Sequence, residues 1–252
     1  MHRDEPRSAN DPNPAERSSL GDQGHVFTLQ KDIRAVKGRI VREATSAVGM
    51  LEAAIDALLA VDEDAALSVI RRDDEIDREE VAIEEECLRV LALFNPVARD
   101  FRTLICLMRV NADLERVADH AVSLCKLTIR LRRLGGLSRF PLSVQELGHR
   151  VPMLCQSLLS ALINDNVEGA RNVLLRDETI DSLDKRVFEE ALDALGESRE
   201  ANARALLLYR CGREMERVGD LMTNIAEDVI YLNTGQIVRH AEKKRLRSQN
   251  RG

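Results

Sequence analysis

Acidic residues recur in this chain where an apolar helical pattern should continue. One run reads Ile70, Asp73, Asp77, Val81 in steps of three and four, and a second reads Leu174, Asp177, Asp181. Two more, Leu104, Met108, Asn111, Glu115, Asp119, Val122 and Leu208, Gly212, Glu216, Asp220, Thr223, turn acidic midway. Such steps stay on one face of an α-helix, so each stretch presents a carboxylate pair on its buried or half-buried side. Ionised carboxylates held close together repel, and burial sharpens the repulsion. They must be exposed, share protons, pair with cations or bind metal. Oxygen-only donors suit hard or borderline cations. A single pair of this kind is most often a wet helix face, whereas four pairs in repeated register favour metal for the set.

The pairs also match in depth. Asp77 lies 18 residues before Asn95 and Glu115 lies 20 after it, while Asp73 and Asp119 lie 22 before and 24 after. In an antiparallel hairpin a two-residue offset is about 3 Å, so the four carboxylates converge at one level. Arg116 and Arg217 directly follow the glutamates and point to another part of the helix surface, where they do not neutralise the site.

The elements that position these residues are all helical. From Phe27 to Ala60 apolar residues recur at helical spacing (Leu29, Ile33, Val36, Ile40, then Ala44 to Leu58), predicting one long amphipathic helix. A second helix follows the acidic break at Asp62 to Asp64 and runs to Phe94. Asn95-Pro96 then predicts an N-cap with proline at the first helical position, opening a third helix that ends before Gly135-Gly136. The order repeats: a helix from about Pro141 to Ile163, kinked at Pro152, a turn at Asn164 to Asn166, a helix to Leu195, and a last one from Ser198 to about Leu232.

The repeat is visible in the letters, since Asp113 to Asp119 (DLERVAD) aligns with Glu214 to Asp220 (EMERVGD) and Arg72 to Asp77 with Arg176 to Asp181. The fold class is therefore all-α, two tandem sequence-related three-helix bundles at 26–136 and 137–238. They are flanked by a disordered N-terminal arm at 1–25, rich in proline and charge, and a basic C-terminal tail at 239–252.

Composition agrees. Aromatic residues make up 3% of the chain and Trp is absent, which suits bundles packed with Leu, Ala, Ile and Val rather than sandwiches or barrels. A net charge of -6 gives no general attraction to phosphate backbones or anionic lipid, so nucleic acid is not expected as a partner. Five cysteines without a CxxC pair read as reduced core residues of a cytoplasmic protein. No stretch reaches the roughly 20 apolar residues that span a bilayer, and no secretory signal layout is present.

Several segments resemble the PhoU family, regulators associated with the high-affinity phosphate transporter. Asn95 to Arg102 (NPVARDFR) looks like that family's turn into its third helix, Asp113 to Ala121 (DLERVADHA) is similar to its DLERIGDHA, and Met215 to Arg239 matches its closing segment. The resemblance covers about Phe27 to His240. It implies two symmetric three-helix bundles carrying multinuclear iron or zinc clusters on E(D)xxxD motifs, here Asp73/Asp77, Glu115/Asp119, Asp177/Asp181 and Glu216/Asp220.

The pattern departs at Ala118, where the family usually has Gly, and at Leu221, where it usually has His and where a possible ligand is lost; His120 keeps that histidine in the first repeat. The resemblance further implies no enzyme but a homodimeric negative regulator of phosphate uptake and starvation signalling. Its partners would be the phosphate ABC transporter's ATP-binding subunit and the phosphate sensor histidine kinase, met at the inner face of the membrane through those proteins alone. Three other readings stand beside it: a metal-free helical adaptor, an accessory protein of an ion-driven phosphate carrier, and a di-metal oxidase. The oxidase would need Glu-x-x-His pairs, which the Glu-x-x-x-Asp spacing does not supply.

Overall fold

The computed structural model describes residues 14–137 and 139–238, with side chains from Phe27 onward. Among the described residues seven helices follow one another: α1 (Pro14–Ala60), α2 (Glu63–Ile70), α3 (Asp73–Phe94), α4 (Ala98–Arg133), α5 (Leu142–Ile163), α6 (Val167–Asp193) and α7 (Arg199–Thr234). No strand occurs among the described residues. The first bundle is α1, the α2–α3 pair and α4, and the second is α5, α6 and α7. The two are joined by α4 packing along α7 and by α1 packing on α5. One continuous core of Leu, Val, Ile and Ala runs through both, with Val36, Ile40, Leu51, Leu104, Leu124, Leu147 and Ile230 fully buried.

The turns explain the boundaries. Asp62 caps α2 by accepting from the Ala65 N–H at 3.0 Å, Asn166 caps α6 from Gly169 at 3.0 Å, and Ser198 caps α7 from Ala201 at 3.3 Å. The helix α7 closes on Gly235 at φ 70, a left-handed conformation that glycine adopts without a Cβ clash.

Three expectations need correction. The backbone is helical from Pro14, inside the segment expected to be a disordered arm. Proline fits a helix's first position, and Ala15, Glu16 and Arg17 are good helix formers. Residues 1–13 and the basic tail from 239 lie outside the described residues.

The second helix is split at Arg71-Arg72, where the Arg72 N–H turns back to the Val69 carbonyl at 2.9 Å. Asp73, Asp74 and Glu75 then form the first turn of α3, where negative charge favours a helix start. Asn95 is the C-cap of α3, not the N-cap of α4. It sits at φ 43, ψ 52 with its N–H on the Leu91 carbonyl, a conformation asparagine tolerates and one consistent with Pro96 disfavouring αR in the residue before it. Val97 precedes α4 without a side-chain cap. The helix α5 runs unbroken from Leu142 to Ile163 through Pro152. No helix among the described residues is long and apolar enough to cross a membrane.

Candidate metal centre

In the second repeat α6 and α7 bring three of the four expected carboxylates together. Asp177, Asp181 and Asp220 each offer an oxygen, and these atoms all lie within 4.8 Å of one another. Asp177 is 2% exposed, Asp181 half-buried and Asp220 exposed, so the triad opens from core to surface.

Close helix contact sets this spacing. A Cβ on Gly212 would meet Val187 Cγ1 at 2.9 Å, and one on Gly219 would meet Ile180 Cγ2 at 3.1 Å. Glycine at these two places lets α7 approach α6 near enough for side chains from both to share an ion. Oxygens so arranged fit a hard cation.

Glu216, the fourth expected ligand, takes a different partner. Arg213 Nη1 lies 3.1 Å from Glu216 Oε2 and 2.9 Å from Asp184 Oδ2. The Glu216 contact lacks hydrogen-bond geometry, so the oxygen is compensated in charge but not held in direction. Burial and then Asp220 push the Glu216 carboxyl above its ordinary range, against Arg213, which lowers it.

The first repeat gathers the same charges more loosely. Burial, then Asp77 and Asp119, raise the Asp73 carboxyl. Burial, then Asp119, Asp77, Glu80 and Asp73, raise that of Glu115. Asp73 and Glu115 thus each feel the other motif carboxylates of their repeat. Among the described residues, however, no group of three ligand atoms besides the second-repeat triad comes as close. The break at Arg71-Arg72 supplies a reason: Asp73 starts a helix, half-buried, whereas its counterpart Asp177 sits deep in the unbroken α6.

His120 turns away from the carboxylates. Its Nδ1 lies 2.7 Å from Glu214 Oε2, across the α4–α7 contact between the repeats. Leu221 stands at the corresponding place on α7, 2% exposed. Its lack of an imidazole therefore takes nothing from the second-repeat triad, which is the tighter of the two sites. Ala118 is accommodated at 1% exposure. Beside the histidine, a cleft of about 660 Å³ between α4 and α7 is lined by Arg116, Arg217, Thr223 and Asn224 among others. The neighbouring Arg109 forks onto the buried Asp228, its Nε 3.1 Å from Oδ2 and its Nη2 against Oδ1.

Three participants escaped the sequence reading. Glu43 on α1 and Glu80 on α3 add charge to the first repeat, and Arg213 enters the second. Glu43 could have been found by the rule that found the others, since Ile40 and Ala47 bracket it in one apolar stripe. The five cysteines are free and buried, as expected of core residues. Burial pushes the thiols of Cys125, Cys155 and Cys211 up to about 12, as suits unreactive core cysteines.

The family model for the PhoU domain matches residues 40–128 and again 144–229. The phosphate-specific transport system accessory protein PhoU homolog of Clostridium acetobutylicum is 32% identical over 214 residues, covering 83% of this chain and 96% of that protein. The Pseudomonas aeruginosa homolog is 35% identical over 202 residues, covering 79% and 84%. Among solved structures, PhoU from Pseudomonas aeruginosa superposes with TM-score 0.71 at 31% identity over 85% of this chain and 99% of its own. The phosphate transport system regulatory protein PhoU from Streptococcus pneumoniae gives 0.77 at 25% identity over 84% and 100%. With both halves matched by one domain model and both built as three-helix bundles, the chain belongs to the PhoU family.

Proposed function

We propose that this protein is an accessory regulator that restrains phosphate uptake and phosphate-starvation signalling when phosphate is plentiful. It acts by binding, not by turnover, on the ATP-binding subunit of a phosphate ABC transporter and on a phosphate sensor histidine kinase. The observation that carries the reading is the pair of family-matched bundles, the second with Asp177, Asp181 and Asp220 gathered on facing helices. The names of the relatives at 32% and 35% identity supply the physiological context.

Within that role the carboxylates hold metal ions, Asp177, Asp181 and Asp220 in the second repeat and Asp73, Asp77, Glu115 and Asp119 in the first. Donors that are all oxygen suit hard or borderline cations, and the clusters are of iron or zinc. Bound metal would neutralise carboxylates that otherwise repel, tying α3 to α4 and α6 to α7 and fixing the surface offered to partners. A homodimer and the domain limits 26–136 and 137–238 complete the proposal.

The test is removal of the gene from its host, with alkaline phosphatase or another starvation output measured in ample phosphate. Output that stays high, and falls when the intact gene returns, supports the reading. Output that stays low refutes it and leaves the adaptor and the ion-driven carrier accessory. Asn and Gln at Asp177, Asp181, Glu115 and Asp119 then separate metal regulator from adaptor. In the first, bound metal and partner response vanish together; in the second, only the charge-dependent part of binding weakens.

A further inference from the structure

One cavity occurs twice, once in each repeat. Between α1 and α3 it measures about 420 Å³, with Met50 and Ile76 in its wall. Between α5 and α6 it measures about 230 Å³, with Leu154 and Ile180 in the same places. The two helix pairs match at an offset of 104 residues. At that offset the cap Asp62 corresponds to Asn166, and the residues just before them, Val61 and Asp165, share a left-handed backbone at φ 50 and φ 51. Met50 then matches Leu154, Arg72 matches Arg176 and Ile76 matches Ile180, so the cavities are copies of one feature.

The copies differ in chemistry. Leu147 and Leu183, both buried, stand in the second repeat where the first has Glu43 and Glu79. The fold therefore needs no carboxylate at either place. Glu79 has a partner in Arg39, whose Nε donates to its Oε1 at 2.8 Å and whose Nη1 donates to the Ala82 carbonyl at 3.2 Å. Glu43 has none: it lines the cavity at 2% exposure, and neither of its oxygens has a hydrogen-bond partner. A buried carboxylate without donors is costly unless a proton or a cation satisfies it.

Among the described residues no three ligand atoms gather around Glu43, so the cation that fits is an organic ammonium and not a metal ion. Met50 and Ile76 are buried and give the inner wall an apolar surface for an alkyl chain. The mouth carries Arg42, Arg72 and Glu75, all exposed and none held in a side-chain hydrogen bond or ion pair among the described residues. Two guanidinium groups against one carboxylate repel a second cation and attract a group with a single negative charge. The volume lies in the range of small-molecule sites, about 300 to 1,000 Å³, whereas that of the second-repeat copy falls below it.

We infer that the α1–α3 cavity is a binding site for a short zwitterion, a primary ammonium and a carboxylate joined by an alkyl chain, with the ammonium on Glu43 and the carboxylate at Arg42 and Arg72. The site shares no residue with the motif carboxylates and stands independently of the metal reading. It goes beyond the regulatory role by giving the protein a small-molecule ligand that bridges α1 and α3, and α1 in turn packs on α5 of the other repeat.

The experiment uses the full chain with 5-aminopentanoate as the probe, and pentylamine and pentanoate as analogues that each lack one end. Binding is read by isothermal titration calorimetry on wild type, Glu43→Gln, Glu43→Leu and Arg42→Gln, with helicity checked by circular dichroism. Glu43→Leu copies the second repeat, so it keeps the test valid should the Gln variant fold poorly. The expected result is that 5-aminopentanoate binds wild type and is lost or weakened at least about thirtyfold in both Glu43 variants, as for removing one partner of a buried charge pair. Arg42→Gln should weaken it about two- to fivefold, the size of an exposed pair, and leave pentylamine unchanged. No binding to wild type, or equal binding to wild type and both Glu43 variants, overturns the inference. Pentanoate that binds as tightly as 5-aminopentanoate also overturns it, and leaves an anion site at the arginines beside a Glu43 that holds its own proton.

Discussion

Replacing Gly212 with Ala sets two effects of opposite sign against each other. In an open helix the change stabilises by about 1 kcal/mol, because alanine is the better helix former. Here the new Cβ would lie 2.9 Å from Val187 Cγ1 and 3.2 Å from both its Cβ and Cγ2, well inside ordinary carbon contact. The opposing atoms belong to a β-branched side chain, 1% exposed, with little rotamer freedom. Overpacking of this kind costs about 1–3 kcal/mol, and with three close contacts the upper half of that range applies. The net expectation is a loss of about 1–2 kcal/mol.

Urea unfolding followed by circular dichroism measures it, and the double variant with Val187→Ala isolates the contact. In that background the clash is gone, so Gly212→Ala should stabilise by about 1 kcal/mol, a coupling of about 2–3 kcal/mol between the two positions. If Gly212→Ala stabilises the otherwise native chain, or if the two changes simply add, close α6–α7 approach is not what sets the geometry of Asp177, Asp181 and Asp220.

Other outcomes follow from the same contacts. Asp177→Asn should abolish the cation-dependent rise in melting temperature contributed by the second repeat, worth about 2.7 kcal/mol at an ion concentration 100 times the dissociation constant, as read by calorimetry with and without chelator. Arg109→Ala should destabilise by roughly 3 kcal/mol, the low end for breaking a buried pair because the guanidinium is half exposed, whereas Asp228→Asn in that background should recover part of the loss in the same urea assay. In cation-free protein, burial and then Glu79 and Glu80 raise the Glu43 carboxyl to about 8. The folded state therefore binds more protons than the unfolded one, and stability should fall as pH rises from about 4.5 to about 8 and level off above it. Glu43→Gln should remove that slope from unfolding curves taken across the range.

The architecture is legible because helix geometry writes itself into spacing. Asp73/Asp77 and Glu115/Asp119 share a face by arithmetic, and their depth follows from counting to the turn at Asn95. What spacing does not carry is the rotation of one helix against another. Whether Glu216 faces the α6 carboxylates or leans to Arg213 depends on side-chain partners such as Asp184, which holds Arg213 only once α6 is in place. A lone acid such as Glu43 in a long stripe gains meaning only when α3 packs beside it. The Asn95-Pro96 pair is compatible with ending one helix or opening the next, and the choice rests on the Leu91 carbonyl that accepts the Asn95 N–H. The break at Arg71-Arg72 is equally local, since α6 continues straight through the matching residues.

The fork from Arg109 to Asp228 also bears on how a duplicated chain avoids pairing with the wrong half. By the repeat offset Arg109 corresponds to Arg210 and Asp228 to Leu127, so the bridge exists in one direction only. Two first halves facing each other would set Arg109 against Leu127, a buried apolar side chain with nothing to accept from a guanidinium. Two second halves would set Asp228 against Arg210, where an ion pair can still form, so the asymmetry counts against the pairing of first halves alone. The contact thus distinguishes the halves although their helices are nearly interchangeable. It disfavours domain-swapped assemblies that pair two first halves, and it makes the linker at Gly135-Gly136 a connection between complementary, not identical, partners.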